Sequence, residues 1–250
     1  MNARYAIYFV PEPETALAGT GSALLGRDSE TGRELPQVRP VDFARQSLRE
    51  LTADARRYGL HATLKAPFFL RPGRTEDELL LSAARFITGR QSIVLPRLEL
   101  ARIGSFFALV PAAETPGARE AIARLNAFAM EAVVFFDPFR AAPSGRERAR
   151  REAQTLNARQ KALLADWGYP YVFDEYRFHV TLAAKPHDNM EAGRVEESLR
   201  ACFAQACNEG TTVSGICVCR QATPAPAART GTQPENRDSA FTPVARFSFR

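Results

Sequence analysis

The chain has 250 residues, 45% of them apolar and 24% charged. That length and balance support one large domain or two modest ones with a real core, and they exclude a wholly disordered chain, a collagen-like chain and a small disulfide-stapled scaffold. No apolar run approaches the ~20 residues that cross a bilayer, and a net charge of +5 suits an anionic ligand.

The type of cation is informative. Only Lys65, Lys161 and Lys185 are lysines; every other cationic residue is arginine. Arginine keeps its charge and grips phosphate bidentately, although an arginine-biased codon usage produces the same count. The four cysteines lie between Cys202 and Cys219. The first apolar stretch, Tyr5 to Val10, is too short for a signal-peptide core and stops at Pro11. Free thiols and a cytoplasmic location are therefore expected.

In chain order, Arg4 to Val10 reads as a strand of aromatic and β-branched residues. Pro11 to Pro40 reads as loop around a short apolar helix, Ser22 to Leu25. Asp42 is placed to cap a helix carrying Phe43, Leu48, Leu51, Ala55 and Tyr58 on one face, ended by Gly59. A strand follows from Leu60 to Leu70. Thr75 and Glu78 form a T-x-x-E capping box for a helix reaching about Thr88. Strands are expected over Ile93 to Leu100 and Ser105 to Val110, turning at Gly104.

A helix over Pro116 to Glu131 starts at a proline that suits a first turn. Ser144 is placed to cap a long charged helix to Trp167. Its Arg146 to Arg151 stretch reads as a solvated face with local ion pairs, or as a phosphate-tracking face. A strand over Tyr176 to Ala184, a helix over Asn189 to Cys207 and a strand over Val213 to Cys219 come next. Residues 222–240 form a biased Ala, Pro, Thr, Gly and Arg tract that reads as a mobile loop. Phe241 to Phe249 closes as a strand. Strands and helices mix without the alternation of a doubly wound sheet, which indicates an α+β fold.

Two of the three histidines open the same tetrad, H-x-T-L: His61-Ala-Thr63-Leu64 and His179-Val-Thr181-Leu182. Side chains alternate across a strand. His61, Thr63 and Lys65 therefore share one face, with Ala62, Leu64 and Ala66 on the other. In the second copy Arg177, His179 and Thr181 share a face, and Phe178, Val180 and Leu182 take the apolar one. Lys185 has matching parity if the strand runs that far. Each copy offers an imidazole, a hydroxyl and a cation. Two imidazoles around one centre can act as base and acid. Hydroxyls and cations can hold phosphoryl oxygens as charge grows on them. The chemistry that fits is attack on a phosphodiester, with no metal and no cofactor required. A single H-x-T-L would read as a histidine packed in a sheet; the matched pair points to a site. His187, after Pro186, reads as surface.

The paired tetrads resemble the two-histidine (2H) phosphoesterase superfamily. Longer stretches are similar to its branch associated with phosphonate-degradation operons: Arg57-Tyr-Gly-Leu-His61-Ala-Thr-Leu-Lys65-Ala-Pro-Phe68, Asp137-Pro-Phe-Arg140, and Trp167-Gly-Tyr-Pro-Tyr171 followed by Arg177-Phe-His179-Val-Thr-Leu182. The likeness runs from the first strand to about Ala184. It implies a bilobed α+β fold occupying 1–250 as one domain, in which two sheet-and-helix lobes face a central cleft. It also implies metal-independent opening or hydrolysis of a small cyclic phosphodiester, with a ribose-linked cyclic phosphate as the candidate. His61, Thr63, His179 and Thr181 carry over as catalytic residues, and Lys65, Arg140, Arg177 and Lys185 as substrate contacts. Ala183 departs from the pattern, standing where relatives commonly carry a polar residue.

Competing motifs are incomplete. Gly19-Thr-Gly21 is followed by Leu24 where a dinucleotide loop needs its third glycine. There is no G-K-[ST] and no G-x-S-x-G. Cys217-x-Cys219 lacks the C-x-x-C spacing of zinc sites. The expected partner is a small anionic phosphodiester. RNA ends are the second reading, but no aromatic residue interleaves Arg146 to Arg151. A non-catalytic phosphate-binding module is the third. No membrane and no obligate protein partner is indicated.

Overall fold

The computed structural model describes residues 3–40, 45–143, 155–222 and 240–249. Strand β1 (Arg4–Phe9) is buried along nearly its whole length because it runs through the middle of a sheet. That sheet has the order β2 (Ala62–Phe69), β1, β8 (Gly215–Gln221), β9 (Phe241–Ser248), and every pairing is antiparallel. A second antiparallel sheet has the order β4 (Leu98–Ile103), β5 (Phe106–Pro111), β6 (Val180–Ala184). Strands β3 (Ile93–Leu95) and β7 (Thr211–Val213) form a separate ribbon.

Helices α4 (Glu76–Phe86) and α5 (Pro116–Phe136) pack against the first sheet. Helices α1 (Ala16–Leu25) and α7 (Asn189–Asn208) pack against the second. The short helices α2 (Arg45–Leu51) and α3 (Ala53–Tyr58) lead to His61, and α6 (Ala158–Trp167) precedes His179. The architecture is α+β, with two sheet-and-helix halves. Neither half is a contiguous stretch of chain, since β1 and β8 lie in one half while α1 and α7 lie in the other. One apolar core joins them. It runs from Ile7 and Phe9 through Phe107 to Val180 and Phe203, and Phe9 packs on Phe178 with ring centroids 5.8 Å apart.

Local chemistry sets the element ends. Thr75 and Glu78 close the expected capping box on α4. Thr115 caps α5, with Pro116 in the first turn. Asn157 and Gln160 make a second capping box at the start of α6. Helix α5 runs beyond the expected Glu131 to Phe136, because Val133 and Phe136 prolong its buried stripe. Helix α1 starts earlier than expected, at Ala16 after its Thr15 cap. The single strand expected over Ile93 to Leu100 is two strands in different sheets, parted at Pro96, which has no amide hydrogen to give a ladder. The Asp42 cap, Phe43, the Ser144 cap, Arg146 to Arg151 and nearly all of the 222–240 tract lie outside the described residues. Among the described residues no helix is long and apolar enough to cross a membrane.

The approach to His61 is clamped from below. Arg27 is buried, and its guanidinium donates to the carbonyls of Gly32, Arg56, Arg57 and Phe241. Two of these are last-turn carbonyls of α3, and Arg56 O also accepts from the Gly59 amide. Ser29 Oγ accepts from Leu60 N at 2.8 Å. Arg27→Met removes four buried or part-buried hydrogen bonds, on Gly32 O, Arg56 O, Arg57 O and Phe241 O. The expected loss is about 2–4 kcal/mol of stability, read as a lower urea midpoint at unchanged m-value. A midpoint equal to wild type would show that the clamp carries no stability.

Candidate active site

His61 immediately precedes β2, and His179 immediately precedes β6. Each strand is the edge of its sheet. Ala62 and Leu64 are buried while His61 and Thr63 are half-exposed; Phe178, Val180 and Leu182 are buried while His179 and Thr181 are half-exposed. Over the two tetrads the alternation follows the sequence pattern. Thr63 lies opposite Tyr8 of β1. The Tyr8 ring packs on the His61 imidazole with centroids 4.0 Å apart, and Tyr58 approaches it to 5.8 Å.

The two strands are tied to each other. Tyr176, three residues before His179, donates its hydroxyl to Thr63 O at 3.1 Å. The Tyr176 bond therefore links the segment that leads to His179 with the strand that follows His61. Two tyrosines, Tyr8 and Tyr58, pack on His61, Phe106 approaches the His179 ring to 5.6 Å, and burial raises the phenols of Tyr8, Tyr169 and Tyr176. Sequence reasoning did not single out these tyrosines as site residues. Their signal was their placement, Tyr8 in β1, and Tyr58 and Tyr176 each three residues before a tetrad.

Both imidazoles are held in the same way. His61 Nδ1 lies 2.9 Å from Gly59 O, and His179 Nδ1 lies 2.8 Å from Arg177 O. A carbonyl can only accept, so in each ring Nδ1 carries the hydrogen and Nε2 keeps its lone pair. Burial pushes the His61 pKa down to about 4; His179 adds to the effect and the Gly59 carbonyl opposes it. Burial also lowers His179 below its ordinary 6.5, against the Arg177 carbonyl.

The cations are placed less simply. The β1–β2 register pairs Tyr8 with Thr63 and Ile7 with Lys65, so Leu64 is an extra residue in β2. This bulge turns Lys65 off the face of Thr63, contrary to the expected alternation. Lys65 is buried; its ammonium donates to Val133 O at 2.9 Å and pairs with Asp137 Oδ1 at 3.0 Å. Strand β6 has its own bulge at the matching leucine. Ala108 pairs with Thr181 and Phe107 with Ala183, leaving Leu182 over. Because of it, and because β6 ends at Ala184, the simple parity expected for Lys185 does not hold. Arg177 is exposed, and its side chain has no hydrogen bond or ion pair among the described residues. His187 is exposed, as expected.

Arg140 joins the Lys65 cluster. Its Nε donates to Asp137 Oδ1 at 2.8 Å, and one terminal nitrogen donates to Asp137 Oδ2 at 3.2 Å and to Asp166 O at 2.8 Å. The segment bearing it continues the edge of β2, since Arg71 N bonds Phe139 O and Ala141 N bonds Phe69 O. Burial alone would raise the Asp137 carboxyl, but Arg140 and Lys65 hold it below its ordinary range. The separate strings Asp137 to Arg140, Trp167 to Tyr171 and the Lys65 strand thus meet at one place.

Among the described residues no three His, Cys, Asp or Glu side chains gather as a metal site. Cys217 and Cys219 are buried free thiols, and burial raises Cys217 to about 12.

Comparison with known proteins gives a family match. The model of the family described as "Protein of unknown function (DUF1045)" matches residues 63–228, a span that begins two residues after His61 and includes His179. The chain is similar to the ribose 1,5-bisphosphate phosphokinase PhnN of Janthinobacterium sp. (strain Marseille), 44% identical over 179 residues, covering 72% of this chain and 38% of that protein. It is also similar to the protein of that name from Laribacter hongkongensis (strain HLHK9), 34% identical over 182 residues, covering 73% of this chain and 40% of that protein. The chain therefore spans about two fifths of the length of these relatives. Among solved structures, that of E. coli LigT complexed with 3'-AMP aligns over 100% of this chain and 99% of its own, at 13% identity and a TM-score of 0.39.

Both imidazoles bind a proton less readily folded than unfolded, so the unfolded chain takes up more protons below pH 6.5. Their contribution to stability is full above about pH 6.5 and is lost as pH falls through their folded values, near 4 for His61. Urea midpoints measured across pH 7 to 4 are expected to fall for wild type and to fall less steeply for His61→Gln. Equal slopes for the two would contradict this assignment.

Proposed function

The chain belongs to the DUF1045 family, and from its paired imidazoles we propose that it is a phosphodiesterase of the two-histidine kind, opening a small cyclic phosphate by acid–base catalysis. The observation that supports this reading is the matched pair of Nδ1–H···O=C bonds, which leaves an Nε2 lone pair on each imidazole, on two segments tied by the Tyr176 hydroxyl.

The roles follow from proton affinity. His61 is the more strongly depressed and stays neutral, so its Nε2 takes the proton from the attacking water. His179 is the acid. The substrate's anionic phosphate favours its protonated form, and its Nε2–H passes the proton to the leaving ribose oxygen. The new P–O bond to water forms as the ring P–O bond breaks, and the product is a phosphomonoester beside a free hydroxyl. The hydroxyls of Thr63 and Thr181, on the histidine faces, donate to the non-bridging oxygens as charge grows there. No step requires a metal.

The relatives' names guide the substrate. They are named for a reaction of ribose 1,5-bisphosphate, and they match this chain over only part of their length. Water opening the 1,2-cyclic phosphate of ribose 5-phosphate at the P–O2 bond yields ribose 1,5-bisphosphate. An activity of this kind would supply the phosphokinase reaction, in keeping with the resemblance to the phosphonate-associated branch.

The test is a turnover panel of ribose cyclic phosphates and 2′,3′-cyclic-ended oligonucleotides. Ribose cyclic phosphates are the expected substrates, with chelator leaving the rate unchanged. His61→Ala and His179→Ala are each expected to cost about 10²-fold or more in rate without unfolding the protein. Turnover of oligonucleotides alone would overturn the substrate class, and full activity in either variant would overturn the mechanism. The kcat/KM profile is expected to peak on the acid side of pH 6.5, with its acidic limb near 4. An optimum above pH 8 would contradict the assigned roles.

A further inference from the structure

Beside the histidine strands lies a cavity lined by Lys65, Val133, Arg140, Trp167, Gly168 and Tyr169. It measures about 30 Å³, and a single water needs ~10–15 Å³ on such a measure. Its polar groups are cationic or donating. Lys65 and Arg140 share one carboxylate, Asp137, so the cluster keeps a net positive charge.

The donors are only partly spent. An ammonium has three N–H groups and a guanidinium has five. Lys65 uses two, on Val133 O and Asp137. Arg140 uses its Nε and one terminal nitrogen, on Asp137 and Asp166 O. The other terminal nitrogen makes no hydrogen bond among the described residues. It lies over Gly168, where an added Cβ would come within 3.0 Å of it. Gly168 caps α6 at φ +76, in the left-handed region that glycine tolerates. The Tyr169 hydroxyl also has no hydrogen-bond partner among the described residues. The cavity therefore brings together unspent donors from an ammonium, a guanidinium and a phenol. That set matches the acceptor oxygens of a phosphate monoester.

Its position matters as much as its chemistry. Lys65 follows Thr63 by two residues in β2, and Trp167 to Tyr169 lie on the segment that leads to His179, so the cavity is lined by the same two segments that carry the tetrads. Tyr169 lines the cavity and packs its ring on Tyr171.

We propose that this cavity is a second anion subsite, which holds a phosphate monoester on the substrate distal to the phosphodiester under attack. It rests on the phosphodiesterase reading for the reacting end, and it narrows the substrate class to cyclic phosphodiesters of sugars that also carry a terminal phosphate. The distal phosphate positions the ring, and the histidines do the chemistry at the other end.

The test measures binding apart from catalysis. Calorimetric titration of ribose 5-phosphate, with ribose as the comparator, is run on wild type, His61→Ala, Arg140→Gln and Tyr169→Phe. Circular dichroism and thermal melting confirm that each variant folds. Wild type and His61→Ala are expected to bind ribose 5-phosphate equally and to bind ribose at least tenfold more weakly. Tyr169→Phe is expected to weaken ribose 5-phosphate by about threefold or more, and Arg140→Gln by tenfold or more. Tyr169→Phe keeps the question answerable if Arg140→Gln does not fold. Affinity unchanged in both Arg140→Gln and Tyr169→Phe, or equal affinity for ribose and its phosphate, would overturn the subsite and leave the histidine reading standing. Binding that follows the expected pattern in a protein that turns over no cyclic phosphate would support the subsite and remove the phosphodiesterase reading.

Discussion

Each of the two imidazoles gives its Nδ1 hydrogen to the backbone carbonyl two residues before it, Gly59 for His61 and Arg177 for His179. That one bond fixes the tautomer, the ring orientation and the free nitrogen together. Its partner is main chain, so the geometry of the chain just before each strand decides whether the site exists. The Arg27 guanidinium and the Ser29 hydroxyl hold that stretch on the His61 side, and the Tyr176 bond to Thr63 holds the His179 side against it. Two halves woven from separated parts of the chain then share one core.

Burial does two things at the site. It lowers the proton affinity of both imidazoles, with His61 the more depressed. It also makes polar groups costly to leave unpaired. That cost explains the Lys65, Asp137 and Arg140 cluster, in which a carboxylate sits between two cations. The same cluster leaves a surplus of positive charge next to the histidine strand, and a phosphorylated ligand is complementary to that surplus.

The burial pattern of the two tetrads was legible from periodicity. The tetrads predict which residues are buried and which face the site, and Ala62, Leu64, Phe178, Val180 and Leu182 are buried as that pattern requires. The pattern failed one residue later. A bulge at Leu64 and another at Leu182 add a residue to each strand after its threonine. Bulges depend on the register with the partner strand, which alternation within one segment does not contain. Lys65 therefore points into the protein toward α5, and the parity of Lys185 is lost. The joining of the Arg140 and Trp167 segments to Lys65 is likewise a product of long-range packing. Element ends were legible where caps exist, as at Thr75 and Thr115, and misplaced where a buried stripe carried on, as in α5 to Phe136.

The central claim is that both free Nε2 atoms address a single phosphorus atom. It is tested most directly by titrating orthovanadate, a mimic of five-coordinate phosphorus, into protein labelled with ¹⁵N at histidine. The Nε2 resonances of His61 and His179 should shift together with one dissociation constant, while both Nδ1 signals keep their protonated character. If only one ring responds, or the two respond with separate constants, the imidazoles serve different places and the account fails.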